Sequence, residues 1–398
     1  MKRKLLIEKK DNKIRTYFIE DGDIVEIHST SASGDYADRH RLGDIYIGKV
    51  SNIVPNIGAA FIEIEKGVNC YYDMKDVSSA VFTCKYGKKP LCIGDELVVQ
   101  ISREAVKSKA PTVTGNISFT GRYAVLTHGN TRIGVSSKIP RSLREEYKRE
   151  LSVLHNNDFG IIIRTNAKDA SFDAVLEEIH ALRAEYYNLI GNAQTRVCFS
   201  CLKSAPPSYI ADLKNVYMDG MESIIIGDKE LYTRIHMFFQ TELPEKLDIL
   251  ELYDNPSFPL DKLYSTQTAL DKALMERAWL KTGGYLIIQP TEALTVIDVN
   301  SGKNTSRSDS EEGAMKVNME AAREAARQIR LRNLSGIIII DFINLKDEEN
   351  TRKLLHEFKY FLAKDPIQTT LVDITPLGLV EVTRKKVRRP LYEEERTK

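Results

Sequence analysis

The stretch LTVIDVNSGKNTSRSDSEEG, residues 294–313, decides the fold class of this chain. An apolar run with the alternation of a strand ends on Asp298, and small, polar and charged residues follow it. An aspartate in this place either forms an ordinary turn or holds a ligand where a buried strand reaches solvent. The choice depends on whether a second acid lies beside it.

A second acid does follow, after one helix and one strand. Residues 310–336 are rich in Ala, Met, Glu and Arg, which predicts a long helix that Gly336 stops. The run IIIIDFINL, residues 337–345, predicts a buried strand that ends on Asp341. A strand–helix–strand unit pairs its strands in parallel, and ligands bind at the carboxyl edge of such sheets. We therefore expect Asp298 and Asp341 to lie side by side.

Two neighbouring carboxylates repel each other unless a proton or a cation lies between them. A hard divalent ion such as Mg²⁺ suits two acids with room for water, and it favours phosphoester hydrolysis by polarising a phosphoryl oxygen and activating water. Asn300 lies two residues past Asp298, on the same strand face, where its amide can orient the carboxylate. For either acid taken alone, a turn-forming or helix-capping role is the alternative.

The composition is that of an ordinary soluble globular chain with about two to four domains. It has 398 residues, of which 42% are hydrophobic and 28% charged. The formal net charge is +1, so any strongly basic surface must be local. No segment approaches the roughly 20 apolar residues of a membrane span, and the first apolar run is too short for a signal peptide. The five cysteines lack the spacing of a disulfide framework, which predicts reduced thiols in the cytoplasm.

The first half of the chain predicts mostly strands. Short alternating runs at residues 4–8, 14–20 and 23–28 predict three of them. Several short strands between residues 44 and 124 predict a small barrel of OB type, and we expect GNISFTGRYAVLTHG, residues 115–129, to close it. Residues 171–193 have apolar side chains at helical spacing. The fold class is therefore multidomain α/β.

These motifs closely resemble the ribonuclease E/G family. The catalytic region of that family is matched by EALTVIDVNSGK (292–303), EAAREAARQIRLRNLSGIIIIDFINL (320–345) and PLGLVEVTRKKVR (376–388). Its S1-type RNA-binding barrel is matched by GDIYIGKVSNIVPNIGAAFIEI (43–64). The motifs are long, and the resemblance covers nearly the whole chain in the family's order.

The resemblance implies a particular architecture. An S1-type OB barrel, residues 44–124, is inserted in a split RNase H-like subdomain, residues 1–43 and 205–273. A 5′-sensor subdomain follows at residues 125–204, and a DNase I-like catalytic subdomain at residues 274–398. The implied activity is that of a cytoplasmic endoribonuclease that uses one Mg²⁺ ion per active site to cut single-stranded RNA. It leaves a 5′-phosphate, is stimulated by a 5′-monophosphate on the substrate, and acts in rRNA or tRNA precursor processing or mRNA decay.

The resemblance also implies the site residues. Asp298 and Asp341 match the metal-binding aspartates, and Asn300 matches the asparagine that steadies the first of them. The remaining matches are Arg164, Thr165 and Val135 for the 5′-phosphate sensor, and Phe61, Tyr71 and Lys109 for RNA binding. A guanidinium and a hydroxyl both donate to phosphate oxygens, and an aromatic ring stacks on any base.

Taken without the family, several of these residues have structural alternatives. Phe61 is then a candidate for the barrel core, and Arg164 for an ordinary surface arginine at a strand end. Tyr71 and Tyr72 are adjacent, so only one of them need face outward. The basic run at residues 384–389 either follows the RNA backbone or forms a solvated helix face.

The chain departs from the family at two places. Better-known members carry a Cys-Pro-x-Cys zinc link between protomers, whereas no cysteine follows Cys201 here. We therefore expect no structural zinc, and any homo-oligomer must form without that link; Cys198 and Cys201 together offer two of the four ligands that such zinc needs. Asn344 stands where the family commonly has an acid, which keeps an oxygen and loses a charge.

Two other functions remain open at this point. A non-catalytic RNA-binding or ribosome-associated protein would use the barrel and the basic clusters, and would bind RNA without turnover. A nucleotide-dependent α/β enzyme would use the same crevice at the carboxyl edge of the sheet. The presence of both aspartates favours the nuclease.

Overall fold

The computed structural model describes residues 2–32, 40–104, 110–154, 157–215, 220–302 and 311–396. The chain divides into two compact units. The first unit combines Met1–Ala37 with Met218–Lys398, and the second unit is Asp38–Tyr217. Both units contain strands and helices, which confirms the mixed α/β class. The boundaries of the four smaller subdomains stay a prediction.

In chain order the described strands are β1 Arg3–Lys10, β2 Lys13–Glu20, β3 Asp23–Ser31, β4 Ile45–Val54, β5 Ala59–Glu65, β6 Val68–Asp73, β7 Phe82–Cys84, β8 Glu96–Arg103, β9 Thr112–Thr114, β10 Ser118–Thr120, β11 Ala124–His128, β12 Ile133–Val135, β13 Phe159–Ile163, β14 Cys201–Lys203, β15 Met221–Ile226, β16 Leu250–Leu252, β17 Arg277–Trp279, β18 Tyr285–Pro290, β19 Leu294–Asn300, β20 Gly336–Asp341, β21 Thr369–Ile374 and β22 Val380–Arg384. The described α-helices are α1 Arg141–Leu151, α2 Phe172–Ala193, α3 Ser208–Asn215, α4 Lys229–Glu242, α5 Leu260–Leu263, α6 Thr266–Leu274, α7 Glu311–Leu331, α8 Glu348–Leu362 and α9 Leu391–Arg396.

The first unit contains two sheets. One has the order β16-β15-β1-β2-β3, in which β1 is parallel to β15 and antiparallel to β2. The three strands predicted at the start of the chain are therefore confirmed. The other sheet has the order β17-β18-β19-β20-β22-β21, and β19 runs parallel to β20 with α7 between them in sequence. The predicted strand–helix–strand unit is confirmed as well.

The second of these sheets has one covered face and one open face. The prediction that the isoleucine strand β20 is buried on both faces was therefore wrong, since Ile337 is 51% exposed. Alternate residues such as Ile297 and Ile340 are buried against small side chains of α7, among them Ala321 and Ala325, and against Phe358 of α8. Side chains alternate between the two faces of a strand, so Asp298 and Asp341 point to the other side. Both are exposed.

Helix α7 ends before the predicted stop. We expected Gly336 to end it, but the helix ends at Leu331 and Gly336 begins β20. The cap is Asn333, with φ of 51°, and the Leu334 N–H donates to the Ile329 carbonyl over 3.0 Å. Asparagine tolerates the left-handed conformation that this capping motif requires, so a glycine is not needed there.

The second unit contains the predicted closed barrel. Strands β4, β5, β6, β9 and β8 pair in that order, and β4 also pairs with β8, which closes the circuit. The pairs are antiparallel except for β6 and β9, which are parallel. The short strands β7 and β14 lie at the margins of this sheet. The prediction of a small barrel is confirmed.

The prediction of its closing strands was wrong. Residues 115–129 form β10 and β11, which pair in a separate sheet of order β10-β11-β13-β12. Phe119 and Leu126 pack against Ile179 and Tyr186 of α2 rather than inside the barrel. The amphipathic helix predicted at residues 171–193 is α2, which covers the sheet of β10, β11, β13 and β12. Its apolar face packs on β10 and β11, and this contact explains why they pair outside the barrel.

Among the helices that the structure describes, none combines the length and the hydropathy of a transmembrane segment.

Candidate functional site

The two aspartates occupy matching positions on neighbouring parallel strands. Asp298 of β19 is the register partner of Asp341 of β20. Adjacent strands lie about 4.8 Å apart, so the two carboxylates meet at the carboxyl edge of the sheet. The side-by-side placement expected from the sequence follows from this register.

Asn300 fixes the orientation of one of these carboxylates. Its side-chain N–H donates to Oδ2 of Asp298 over 2.7 Å. That bond engages one of the two carboxylate oxygens of Asp298. The two residues lie on the same strand face because they are two positions apart.

The end of β19 is held against a hairpin of the same sheet. Gly302 has φ of 73°, and a side chain there would collide with the Gly283 carbonyl. The hairpin is held in turn by Glu320 of α7, which accepts the backbone N–H of Thr282 over 2.9 Å and that of Lys281. The backbone of Gly302, two residues after Asn300, therefore lies against the Gly283 carbonyl.

The chain beyond Asp341 is held by a buried amide. Asn318 of α7 has no exposed surface, donates to the Ile343 carbonyl over 2.7 Å and accepts the Ile343 N–H over 3.0 Å. Phe342, which lies between Asp341 and Ile343 in the sequence, packs on Phe358 with ring centroids 5.6 Å apart. We did not predict Asn318 as a site residue. Its sequence signal is a polar residue on the buried stripe of a helix, in line with Ala322 and Ala325.

The donor set suits a hard cation that keeps much of its water. In the described part of the chain, no group of three or more His, Cys, Asp or Glu side chains is placed to hold a metal. Mg²⁺ is commonly bound by one or two carboxylates together with water and substrate phosphate oxygens, which is what two exposed aspartates can offer. Asn344 is exposed and lies beside Gly378. Because its amide is neutral, it adds no charge to the pair of aspartates.

The residues expected to bind a 5′-phosphate come together in the second unit. Val135 of β12 pairs with Ile163, the last residue of β13, and Arg164 and Thr165 follow directly. The hydroxyls of Ser136 and Thr165 lie 2.9 Å apart. A guanidinium, a hydroxyl pair and a strand end therefore share one edge of the sheet.

The position of Arg164 is set by a loop that Glu178 organises. Arg164 donates from Nη1 to the Gly121 carbonyl over 2.5 Å, and from its backbone to the Tyr123 carbonyl over 2.7 Å. The Glu178 carboxylate accepts the backbone N–H groups of Arg122, Tyr123 and Ala124 over 2.8, 2.7 and 2.8 Å. Burial lowers the pKa of Arg164, and the charge of Glu178 opposes that shift. No sequence pattern pointed to Glu178.

The barrel presents two aromatic rings on its outer face. Phe61 of β5 is the register partner of Tyr71 of β6, and their ring centroids lie 6.4 Å apart in an edge-to-face arrangement. Both are partly exposed, whereas Tyr72 is fully buried. Phe61 is therefore not part of the barrel core, and Tyr71 is the outward member of its pair. Lys109 lies outside the described residues.

The sequence model of the Ribonuclease E/G family matches residues 118–387, about two thirds of the chain. The chain belongs to the ribonuclease E/G family. It is 35% identical to ribonuclease E of Synechocystis sp. over 361 residues, which cover 89% of this chain and 53% of that protein. It is 30% identical to ribonuclease G of Salmonella typhimurium and 29% identical to that of Escherichia coli, in each case over 98% of this chain and 81% of the relative. The chain thus spans about half the length of the ribonuclease E relatives it matches.

In this ribonuclease E/G chain, the first residue of the basic run predicted at residues 384–389 is not on the surface. Arg384 is buried, and its guanidinium donates to Asp365 over 2.7 Å and to Asn333 over 2.5 Å. It holds the end of β22 and cannot reach RNA. The following Lys385 and Lys386 are exposed and lie in a loop rather than on a helix.

The two cysteines outside the family's zinc motif face different surroundings. Burial, with a contribution from Glu96, raises the pKa of the Cys198 thiol to about 11. Cys201 is exposed, and its Sγ lies 3.5 Å from the Ser204 hydroxyl.

Proposed function

We propose that this chain is a divalent-metal-dependent endoribonuclease that cuts single-stranded RNA and leaves a 5′-phosphate, with Mg²⁺ as its ion. The observation that carries the proposal is the register pairing of Asp298 with Asp341 on adjacent parallel strands. Membership of the ribonuclease E/G family and the names of its relatives support the substrate class. Processing of rRNA or tRNA precursors and decay of mRNA are the proposed roles, in the cytoplasm where these RNAs are made.

Asp298 and Asp341 would hold one ion between them, and Asn300 would keep Asp298 in the binding orientation. The bound ion would neutralise charge on the phosphoryl group and lower the pKa of water. Other residues of the chain would contribute by holding these two aspartates in position. Glu320 and Asn318 keep the two strand ends in place through backbone hydrogen bonds.

We further propose that Arg164 and Thr165 bind a 5′-monophosphate on the substrate, with backbone contacts near Val135. A guanidinium and a hydroxyl at one sheet edge are suited to phosphate oxygens. Phe61 and Tyr71 would take up bases on the outer face of the barrel, and Lys109 would add a charge there. The barrel would thus be the S1-type subdomain, between the parts of an RNase H-like subdomain and before the 5′-sensor and DNase I-like subdomains. A homo-oligomer, if formed, would assemble without the family's zinc link.

The test is cleavage of a short single-stranded RNA in Mg²⁺ by the unchanged chain and by the variants Asp298→Asn and Asp341→Asn. Each variant keeps the shape of the side chain and removes its charge, and we expect each to lose activity by at least 100-fold. Asp271→Asn, an equal change on the exposed surface of α6, should cleave normally. Full activity in both active-site variants would show that the site lies elsewhere.

A non-catalytic RNA-binding protein is the second candidate, and the paired aromatics of the barrel favour it. It predicts tight RNA binding with no turnover in Mg²⁺ or Mn²⁺. The same assay separates the two functions, because the unchanged chain would then yield no product while still retaining the RNA.

A further inference from the structure

A cluster of three side chains lies at one margin of the sheet that carries the two aspartates. The Arg277 guanidinium lies 4.3 Å from the centroid of the Tyr285 ring and 5.4 Å from that of Trp279. The two rings are 5.3 Å apart at an angle of 63°. We call these three residues the aromatic platform.

The platform is open to solvent. Trp279 is 65% exposed, and the Arg277 side chain is exposed as well. Among the described residues, the contacts of the Arg277 guanidinium are these two rings, with no hydrogen bond or ion pair. An exposed indole beside a guanidinium offers a flat face on which a base can stack and a cation that can contact a phosphate.

The strand register places the platform on the face that carries the aspartates. Arg277, Ile287, Asp298 and Asp341 form one cross-strand row from β17 to β20. Trp279, Tyr285 and Asn300 form the next row. Partners directly across a sheet point to the same face, so all these polar and aromatic side chains share the open face.

The distance from the platform to the aspartates suits a strand of nucleic acid. Arg277 and Asp298 are separated by two strand spacings, about 10 Å. Stacked nucleotides rise by about 3.4 Å each, so about three of them cover this distance. Arg277 adds an exposed cation at the far end of this distance, where it can contact a phosphate.

We propose that the aromatic platform binds one nucleotide of single-stranded RNA, about three nucleotides from the phosphodiester at the two aspartates. A base stacks on Trp279, and Arg277 contacts the adjoining phosphate while keeping its place over Tyr285. Stacking requires only the flat face of a base, so the subsite is tolerant of sequence. The inference rests on the proposed function, because it takes Asp298 and Asp341 as the place of cleavage.

The first experiment uses the fact that Trp279 is the only tryptophan of the chain. The full chain is titrated in EDTA with a ten-nucleotide single-stranded RNA that has a 5′-hydroxyl and a fluorophore at its 3′ end. Anisotropy of the fluorophore reports binding, and the indole emission reports stacking. We expect the emission to fall and to saturate at the same concentration as the anisotropy. Binding with unchanged indole emission would overturn the proposal, and so would the absence of any binding.

The second experiment separates the platform from a structural role. We expect Trp279→Ala to raise the Kd for this RNA about tenfold, and KM by a similar factor in Mg²⁺ with kcat nearly unchanged. Trp279→Phe, which keeps a ring, should retain most of the affinity. Arg277→Ala should weaken binding and reduce its dependence on salt, because a phosphate contact is lost.

Tyr360→Ala is the matched control. Tyr360 is 57% exposed and lies under Lys364, with 4.7 Å between Nζ and the ring centroid, but it is on α8 at the covered face of the same sheet. It should bind and cleave as the unchanged chain does, and an equal loss in this variant would contradict a specific subsite. The binding titration contains no metal and no cleavage. Failure of the proposed nuclease site, seen as full activity in Asp298→Asn, is therefore recorded separately from failure of the platform.

Discussion

Asn318 forms two hydrogen bonds with the backbone of Ile343, one in each direction, across 25 positions of sequence. This amide joins α7 to the segment that leaves Asp341. It has no exposed surface, so the energy of both bonds is gained away from water. The placement of one metal-binding candidate thus depends on a side chain that never meets the metal.

Asn318→Leu is expected to destabilise the fold by about 1–3 kcal/mol, because it leaves the N–H and the carbonyl of Ile343 buried without partners. It should also lower the cleavage rate, since the strand end that carries Asp341 is released. Urea denaturation gives the stability, and cleavage at a temperature where the variant is folded gives the rate. Asn192→Ala, on the exposed surface of α2, should change neither the stability nor the cleavage rate. Unaltered stability in Asn318→Leu would mean that the two hydrogen bonds to Ile343 contribute nothing.

Asn300→Ala should lower activity about 10- to 100-fold, because residues that orient a metal ligand commonly contribute this much. The loss should be partly recovered at high Mg²⁺ if the weakened step is ion binding. A titration of the cleavage rate against Mg²⁺ measures both effects. Gln289→Ala removes an exposed amide from the neighbouring strand β18, away from the carboxyl edge, and is expected to leave the titration unchanged. An Asn300→Ala curve that overlays that of the unchanged chain would remove this residue from the site.

Glu178→Gln is expected to reduce the stimulation by a 5′-monophosphate several-fold while cleavage of 5′-hydroxyl RNA stays the same. The carboxylate accepts three backbone N–H groups, and the loop it holds positions Arg164 through two hydrogen bonds. An amide oxygen without the negative charge holds such a loop less firmly. The ratio of rates on the two RNAs is the readout. Glu177→Gln, the exposed neighbour on α2, is the control, and an equal ratio in both variants would assign Glu178 no part in sensing.

The lowered pKa of the Glu395 carboxyl makes the stability of the first unit depend on pH. Burial alone would raise the pKa of this carboxyl, but hydrogen bonds and charges from Arg15 and Lys13 outweigh burial and lower it to about 2 from the ordinary 4.5. A folded pKa below the unfolded one stabilises the protein above pH 4.5, and the contribution, about 3 kcal/mol, is lost as the pH falls towards 2.

The measurement is the urea midpoint of the unchanged chain and of Glu395→Gln between pH 7 and pH 3. The variant should be less stable at pH 7, and the difference should shrink as the pH falls. Arg15 donates from Nε over 2.9 Å and from Nη2 over 3.0 Å, and these bonds are what protonation weakens. A difference that does not depend on pH would show that the carboxyl has its ordinary pKa. Glu393→Gln, also on α9, provides a comparison.

Local patterns were sufficient where a rule of connection applies. The strand before Asp298, the helix and the isoleucine strand could be ordered from composition and periodicity, and a crossover of this kind pairs its strands in parallel. The meeting of Asp298 and Asp341 follows from that rule. The barrel was also predictable, from several short strands with turns between them.

Patterns failed where a choice between partners was needed. Residues 115–129 do form strands, as the alternation indicates, but α2 draws them into another sheet. Alternation shows that Tyr71 and Tyr72 face opposite ways without showing which one faces solvent. Arg384 is part of a basic run in the sequence and is buried against Asp365 in the fold.

The amino-acid sequence by itself determined the α/β class, the parallel pair of strands and the two acids at their ends, because backbone geometry restricts how neighbouring elements connect. Only the tertiary structure decided which residues support the two candidate sites: Asn318 and Glu320 next to the aspartates, and Glu178 next to Arg164, act on segments 25 to 56 positions away in the chain. The aromatic platform likewise depends on the register of two strands, β17 and β18, and its place relative to Asp298 depends on a third, β19. Such contacts are set by packing between distant segments, so a local pattern can indicate a buried polar residue such as Asn318 but does not identify its partner.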